Sequence, residues 1–142
     1  MKILLAVDGS KHSLAAVACL IEHAGWYREK PQVELVTVHA PAPRLPGMNL
    51  VVGKNQIRKY YEEEGEAALA AAKKKLDAAG IKYEAHVLIG QVAESIVQHA
   101  AKARCDQIFI GTHGRTAAAN MLLGSTATNV LHISKIPVLL VR

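Results

Sequence analysis

The stretch of this chain best suited to chemistry is Gly111-Thr112-His113-Gly114, followed by the nine residues Arg115–Leu123 and then Gly124-Ser125-Thr126. Glycine at 111 and 124 lets main chain approach a ligand with no Cβ in the way. Gly114 is free to take a positive φ, so that successive N–H groups converge on an oxyanion. Ser125 and Thr126 add two hydroxyls, and at the start of a helix their amides have no partner inside it. Together these parts make a phosphate cradle that needs no lysine.

Such a cradle works only if a strand delivers the first glycine and a helix starts at the last. The chain alternates short β-branched runs with longer helical patterns, which predicts an α/β fold with a mostly parallel sheet. Strands are expected at Lys2–Asp8, Val33–Ala40, Ile81–Ile89, Gln107–Ile110 and Val138–Val141. Helices are expected at about Lys11–Ala24, with Ser10 as N-cap, at Asn55–Ala79, closed by Gly80, and at Val92–Ala103 and Ser125–Ile133. The inward faces read as Leu14, Val17, Ala18 and Ile21 in the first helix. In the second they read as Ile57, Tyr61, Ala68, Ala72, Leu76 and Ala79, and in the third as Ala93, Ile96, Val97 and Ala100. Glu62-Glu63-Glu64 and Lys73-Lys74-Lys75 fit a solvated helix face, with the charge order that the helix dipole favours. A proline-rich segment, Pro41–Val52, is long enough to be functional. No domain boundary interrupts the pattern, so residues 1–142 read as one domain.

Composition narrows the functional classes. With 51% apolar residues the chain is not disordered, and its 4% aromatic content leaves little material for base stacking. The net charge of +5 suits an anionic small molecule, and no basic run exceeds three lysines, so nucleic acid is not the expected partner. No apolar run is long enough for a bilayer, and the run after Lys2 stops at Asp8, short of a signal peptide; a cytoplasmic protein is expected. Cys19 and Cys105 form no framework and read as packing or surface thiols. His12, His39 and His113 fall near the ligand edge without a carboxylate or thiol at ligand spacing, so no metal site is assigned to them. His113 is expected to orient the phosphate loop. A P-loop, G-x-G-x-x-G, G-x-S-x-G and H-E-x-x-H are all absent.

The glycine spacing resembles the nucleotide-binding motif of the universal stress protein family, and the resemblance spans the chain. Val7-Asp8-Gly9-Ser10 is similar to that family's opening strand and turn, Gly90-Gln91-Val92-Ala93-Glu94 to its segment after the third strand, and Ile136–Arg142 to its closing strand. Val92 and Ala117 depart from the proline and glycine that members often carry there. The resemblance implies a three-layer sandwich with a five-stranded parallel sheet ordered 3-2-1-4-5, Rossmann-like, with ATP between the first and fourth strands. It assigns Asp8 to the ribose, the backbone around Ala40 to the adenine, and Gly111, Gly114, Gly124, Ser125 and Thr126 to the phosphates, with Arg115 beside them.

The expected function is therefore a small ATP-binding stress-response protein, with Mg²⁺ bridging the phosphates. ATP would order the proline-rich segment and Arg115–Leu123 and so change the surface offered to partners. A homodimer is expected through the apolar C-terminal strand, whose free edge would otherwise be unpaired. No general base is positioned for attack on the γ-phosphate, so fast hydrolysis is not expected, though slow turnover fits. The rival readings are a phosphoryl- or adenylyl-transfer enzyme with Asp8 as its acid or base, and an interaction module that holds no nucleotide.

Overall fold

The computed structural model describes residues 1–41, 53–115 and 123–142. The proline-rich segment after Pro41 and most of the stretch between Gly114 and Gly124 lie outside the described residues. Chain order is β1 (Lys2–Ala6), α1 (Lys11–Glu22), a 3-10 turn (Ala24–Trp26), β2 (Gln32–His39), α2 (Lys54–Ala78), β3 (Tyr83–Ile89), α3 (Val92–Lys102), β4 (Gln107–Gly111), α4 (Ser125–Ile133) and β5 (Val138–Val141). The sheet order is β3-β2-β1-β4-β5, with all four pairings parallel. Ile3 lies opposite Val33 and Gln107, and Gly111 opposite Val141.

Helices cover both faces, which is why β1 reads as an unbroken apolar run. Ile3, Leu5, Leu35 and Phe109 pack with Ala16, Val17 and Leu20 of α1 and Leu69, Ala72 and Leu76 of α2. Leu4, Ala6, Val36, Ile108 and Ile110 pack with Ile96 and Ala100 of α3 and Val130 of α4. Each of these buried side chains removes enough apolar surface to contribute about 1.5–3 kcal/mol if large and aliphatic.

Two inward faces differ from the sequence expectation. In α1 the buried set is Ser13, Ala16, Val17 and Leu20, and Ala18 is exposed. Leu14 and Ile21 still pack against the core as expected, and Ser13 joins them because its hydroxyl donates to the Ser10 carbonyl at 2.9 Å and accepts from the Asp8 amide at 3.3 Å. Ser10 caps the helix as expected, its side chain accepting from the Ser13 amide at 3.2 Å. In α2 burial begins at Tyr61 and Ile57 is exposed. Gly65 faces β3 so closely that a Cβ there would collide with the Val87 side chain.

The C-cap of α2 is Ala79, and Gly80 follows it at φ +62°, with the Ile81 amide donating to Leu76 as in a Schellman turn. The charged runs do lie outward. Arg58–Glu62 and Lys59–Glu63 are exposed i,i+4 pairs, worth about 0.3–0.5 kcal/mol each.

Candidate functional site

In the order β3-β2-β1-β4-β5, the chain turns outward in opposite directions from β1 and β4. A crevice opens at their carboxyl ends for that reason. It holds a cavity of about 420 Å³, within the usual range for small-molecule sites. Ala6, Val36, Ile96 and Ile110 supply an apolar floor, and Asp8, Gly111–Arg115 and Gly124–Ala127 a polar rim. Seven of the eight residues singled out from the sequence line this one cavity: Asp8, Gly111, Gly114, Arg115, Gly124, Ser125 and Thr126. Ala40 does not line it. The two residues just before it, Val38 and His39, do, and the Ala40 carbonyl accepts from the Tyr61 hydroxyl at 3.5 Å.

The glycines are required by close approach more than by backbone angle. At Gly111 a Cβ would stand 2.6 Å from the His12 carbonyl oxygen, so the glycine admits the first turn of α1. Gly114 does not take a positive φ, contrary to the sequence expectation. There a Cβ would meet Asp8 Oδ2 at 2.9 Å, so the glycine admits a carboxylate instead. At Gly124 a Cβ would lie 3.3 Å from the Thr112 carbonyl. The left-handed residue of the site is Gly9, at φ +78°, which turns the chain from β1 into α1.

Several amides of the cradle are already in use. The Thr112 amide donates to the Val141 carbonyl at 2.8 Å, and the Gly124 amide closes the loop by donating to the Thr112 carbonyl at 2.7 Å. Arg115 donates its amide to Asp8 Oδ2 at 3.0 Å. The Gly114 amide makes no hydrogen bond among the described residues, and the first amides of α4, from Ser125 onward, have no acceptor within their helix. Gly124 is the N-cap of α4 and brings no side-chain cap, which leaves that helix end open to an anion.

Asp8 pins the two halves of the rim together. Its Oδ1 accepts from the Ser10 amide at 3.0 Å while Oδ2 accepts from Arg115. Burial alone would push its pKa up, but hydrogen bonds from Ser10, Ser13 and Arg115 outweigh that and hold the carboxyl below its ordinary value. Ionised, it has about four acceptor positions, two of them taken by backbone amides and the others suited to hydroxyls. The turn contact near Ser10 and a ligand contact are thus compatible.

Of the three histidines noted near this edge, His12 and His113 come together with ring centroids 5.1 Å apart. The third, His39, sits against Tyr61 at 5.9 Å. His113 Nδ1 lies 3.1 Å from the Thr112 hydroxyl, which ties the ring to the loop it belongs to. Sequence reading missed the apolar walls, Val38, Val92 and Ile96, because the alternation that aims them at the crevice has meaning only once β2 and α3 are placed. Cys19 and Cys105 lie outside the cavity lining. Cys105 is buried, and that burial pushes its thiol up to about 11.

The profile of the Universal stress protein family matches residues 1–142. Universal stress protein MJ0531 of Methanocaldococcus jannaschii is 33% identical over 141 residues, spanning 99% of this chain and 81% of its own. The solved structure of MJ0577 from the same organism has a TM-score of 0.79 at 27% identity, covering 99% of this chain and 94% of that one. A universal stress protein solved in complex with cAMP shares the fold, with a TM-score of 0.67 at 24% identity over 100% of this chain and 96% of its own. With its profile matched from end to end, and a relative a third identical along nearly the whole length, the chain belongs to the universal stress protein family.

Proposed function

We propose that this universal stress protein is a nucleotide-gated regulator that binds ATP in the β1–β4 crevice. One observation carries the reading: the glycine-bracketed turn after β4, the uncapped start of α4 and Asp8 all face one cavity with an apolar floor. The purine and ribose would lie toward Asp8, Val38 and His39, and the phosphates would take the Gly114 amide, the first amides of α4 and the hydroxyls of Ser125 and Thr126. The Arg115 side chain would pair with the outer phosphates. That a family neighbour was solved with cAMP supports an adenosine phosphate as the ligand class.

Mg²⁺ fits the same rim, since Asp8 is the one carboxylate among the described lining residues and this ion takes one or two carboxylates while keeping its waters. When bound it would neutralise phosphate charge. Asp8 is already committed to two backbone amides and is no free base, so hydrolysis is expected to be slow. The open edge of β5 would pair with a second copy across a two-fold axis, giving a homodimer. A monomer by light scattering at micromolar concentration would count against that pairing.

The direct test is to denature the purified protein and identify what it releases. Adenine nucleotide at near-stoichiometric yield is expected. For protein stripped of ligand, Mg-ATP at 100 times its dissociation constant should add about 2.7 kcal/mol of stability. No shift at millimolar Mg-ATP would overturn the reading in favour of an interaction module. Asp8→Ala separates binder from enzyme: a regulator loses affinity, whereas a transferase keeps binding and loses turnover.

A further inference from the structure

Beyond the nucleotide crevice, a second group of polar side chains, buried or half-buried, lies toward the amino ends of the strands, roughly 16 Å along β2 from His39. Glu34 of β2 is only 3% exposed. His86 of β3 and His99 of α3 both aim Nε2 at the same carboxylate oxygen, Oε2, at 2.7 and 3.0 Å. One ligand-type atom from each of these three residues falls within 4.8 Å of the other two. We propose that Glu34, His86 and His99 form a binding site for a zinc-class divalent ion, distinct from the nucleotide site.

Three features favour an ion over a simple hydrogen-bonded cluster. His99 makes an aligned hydrogen bond to Glu34, but His86 does not: its Nε2 is shut off from solvent and has no hydrogen-bond partner among the described residues. The short approach to Oε2 therefore leaves a ring nitrogen unsatisfied, and a cation seated between the two rings and the carboxylate would satisfy all three atoms at once. The donor set, two imidazoles and a carboxylate, is the open three-ligand arrangement that zinc accepts, with the fourth position left to water. The ligands come from β2, β3 and α3, which are held in register by Val36 opposite His86 and by the shared core beneath, so the site is preformed.

Among the described residues, Lys2 is the lysine paired with this carboxylate. Its Nζ lies 2.8 Å from Oε1, the oxygen the rings do not use. It can keep that oxygen as an outer partner that orients the carboxylate. Its side chain is 31% exposed and can also move into water when the ion arrives. Burial pushes the Glu34 carboxyl up, but the hydrogen bonds from Lys2 and His99 outweigh it and hold the group at about 2.

The test uses tag-free protein, cleared of metal with a chelator and titrated with Zn²⁺ by calorimetry and with Co²⁺ by visible absorption. One saturable site per chain with a micromolar dissociation constant is expected, with the intense visible bands of tetrahedral Co²⁺. Glu34→Gln, His86→Ala and His99→Ala should each weaken zinc at least tenfold. If those variants fail to fold, the wild-type chain decides: zinc should move the ¹⁵N resonances of His86 and His99 Nε2. No saturable binding below 100 µM, or zinc shifts confined to other histidines, would overturn the proposal.

Discussion

The two ends of the sheet hold their polar groups by opposite means. At the carboxyl end the rim of the crevice is mostly main chain, with glycines at 111, 114 and 124 and the open start of α4. At the amino end the Lys2–Glu34–His86–His99 group is all side chain, drawn from three strands and a helix. A main-chain site is specified by what is absent, a Cβ, and sequence spacing records that absence. A side-chain site is specified by which residues meet, which spacing does not record. The first should therefore respond to added volume and the second to changed charge.

Gly111→Ala should produce the largest effect. The new Cβ would sit 2.6 Å from a backbone oxygen and 2.7 Å from a backbone carbon of His12, which cannot rotate away. A loss of about 3 kcal/mol is expected by urea denaturation. A loss under about 0.5 kcal/mol would mean that α1 and β4 are not in such contact.

Acid comes next and should act at the other end. The Glu34 carboxyl is held at about 2, against an ordinary 4.5. The stability this brings is fully present above about pH 4.5 and is lost as the pH falls toward 2, amounting to about 2–3 kcal/mol. Glu34→Gln should lack this acid-sensitive component while Gly111→Ala keeps it. Equal acid profiles for Glu34→Gln and the wild type would break the contrast between the ends.

Asp8→Asn should cost about 1 kcal/mol, because an amide replaces the carboxylate that receives the Ser10 and Arg115 amides. Thermal unfolding would measure it, and an unchanged midpoint would remove Asp8 as the pin of the rim. The smallest effect is expected from Ser125→Ala, about a fivefold loss of ATP affinity by calorimetry with stability unchanged. The helix amides that do most of the holding survive that substitution.

Much of the fold was legible because strand and helix periods are local. The bounds of α4 and β5 match the expectation, and those of the other elements differ by one to two residues at most ends. The face of α1 was legible at Leu14, Val17 and Ile21 but not at Ser13, which enters the core by virtue of its hydrogen bonds to Ser10 and Asp8. Within the crevice, the glycines and Ser125-Thr126 could be named from their spacing, but their reasons could not. Gly114 answers to a carboxylate 106 positions earlier in the chain. The family resemblance pointed to the backbone around Ala40, and Val38 and His39, just before it, line the cavity.

By itself the sequence determined the alternation of strands and helices, the turn glycines and the helix start that faces them, because each depends on residues a few positions apart. Tertiary structure alone decided that Glu34, His86 and His99 share one oxygen, and which cradle amides remain free. Those depend on strand register and helix docking, and contacts across a sheet leave no period in the chain that makes them.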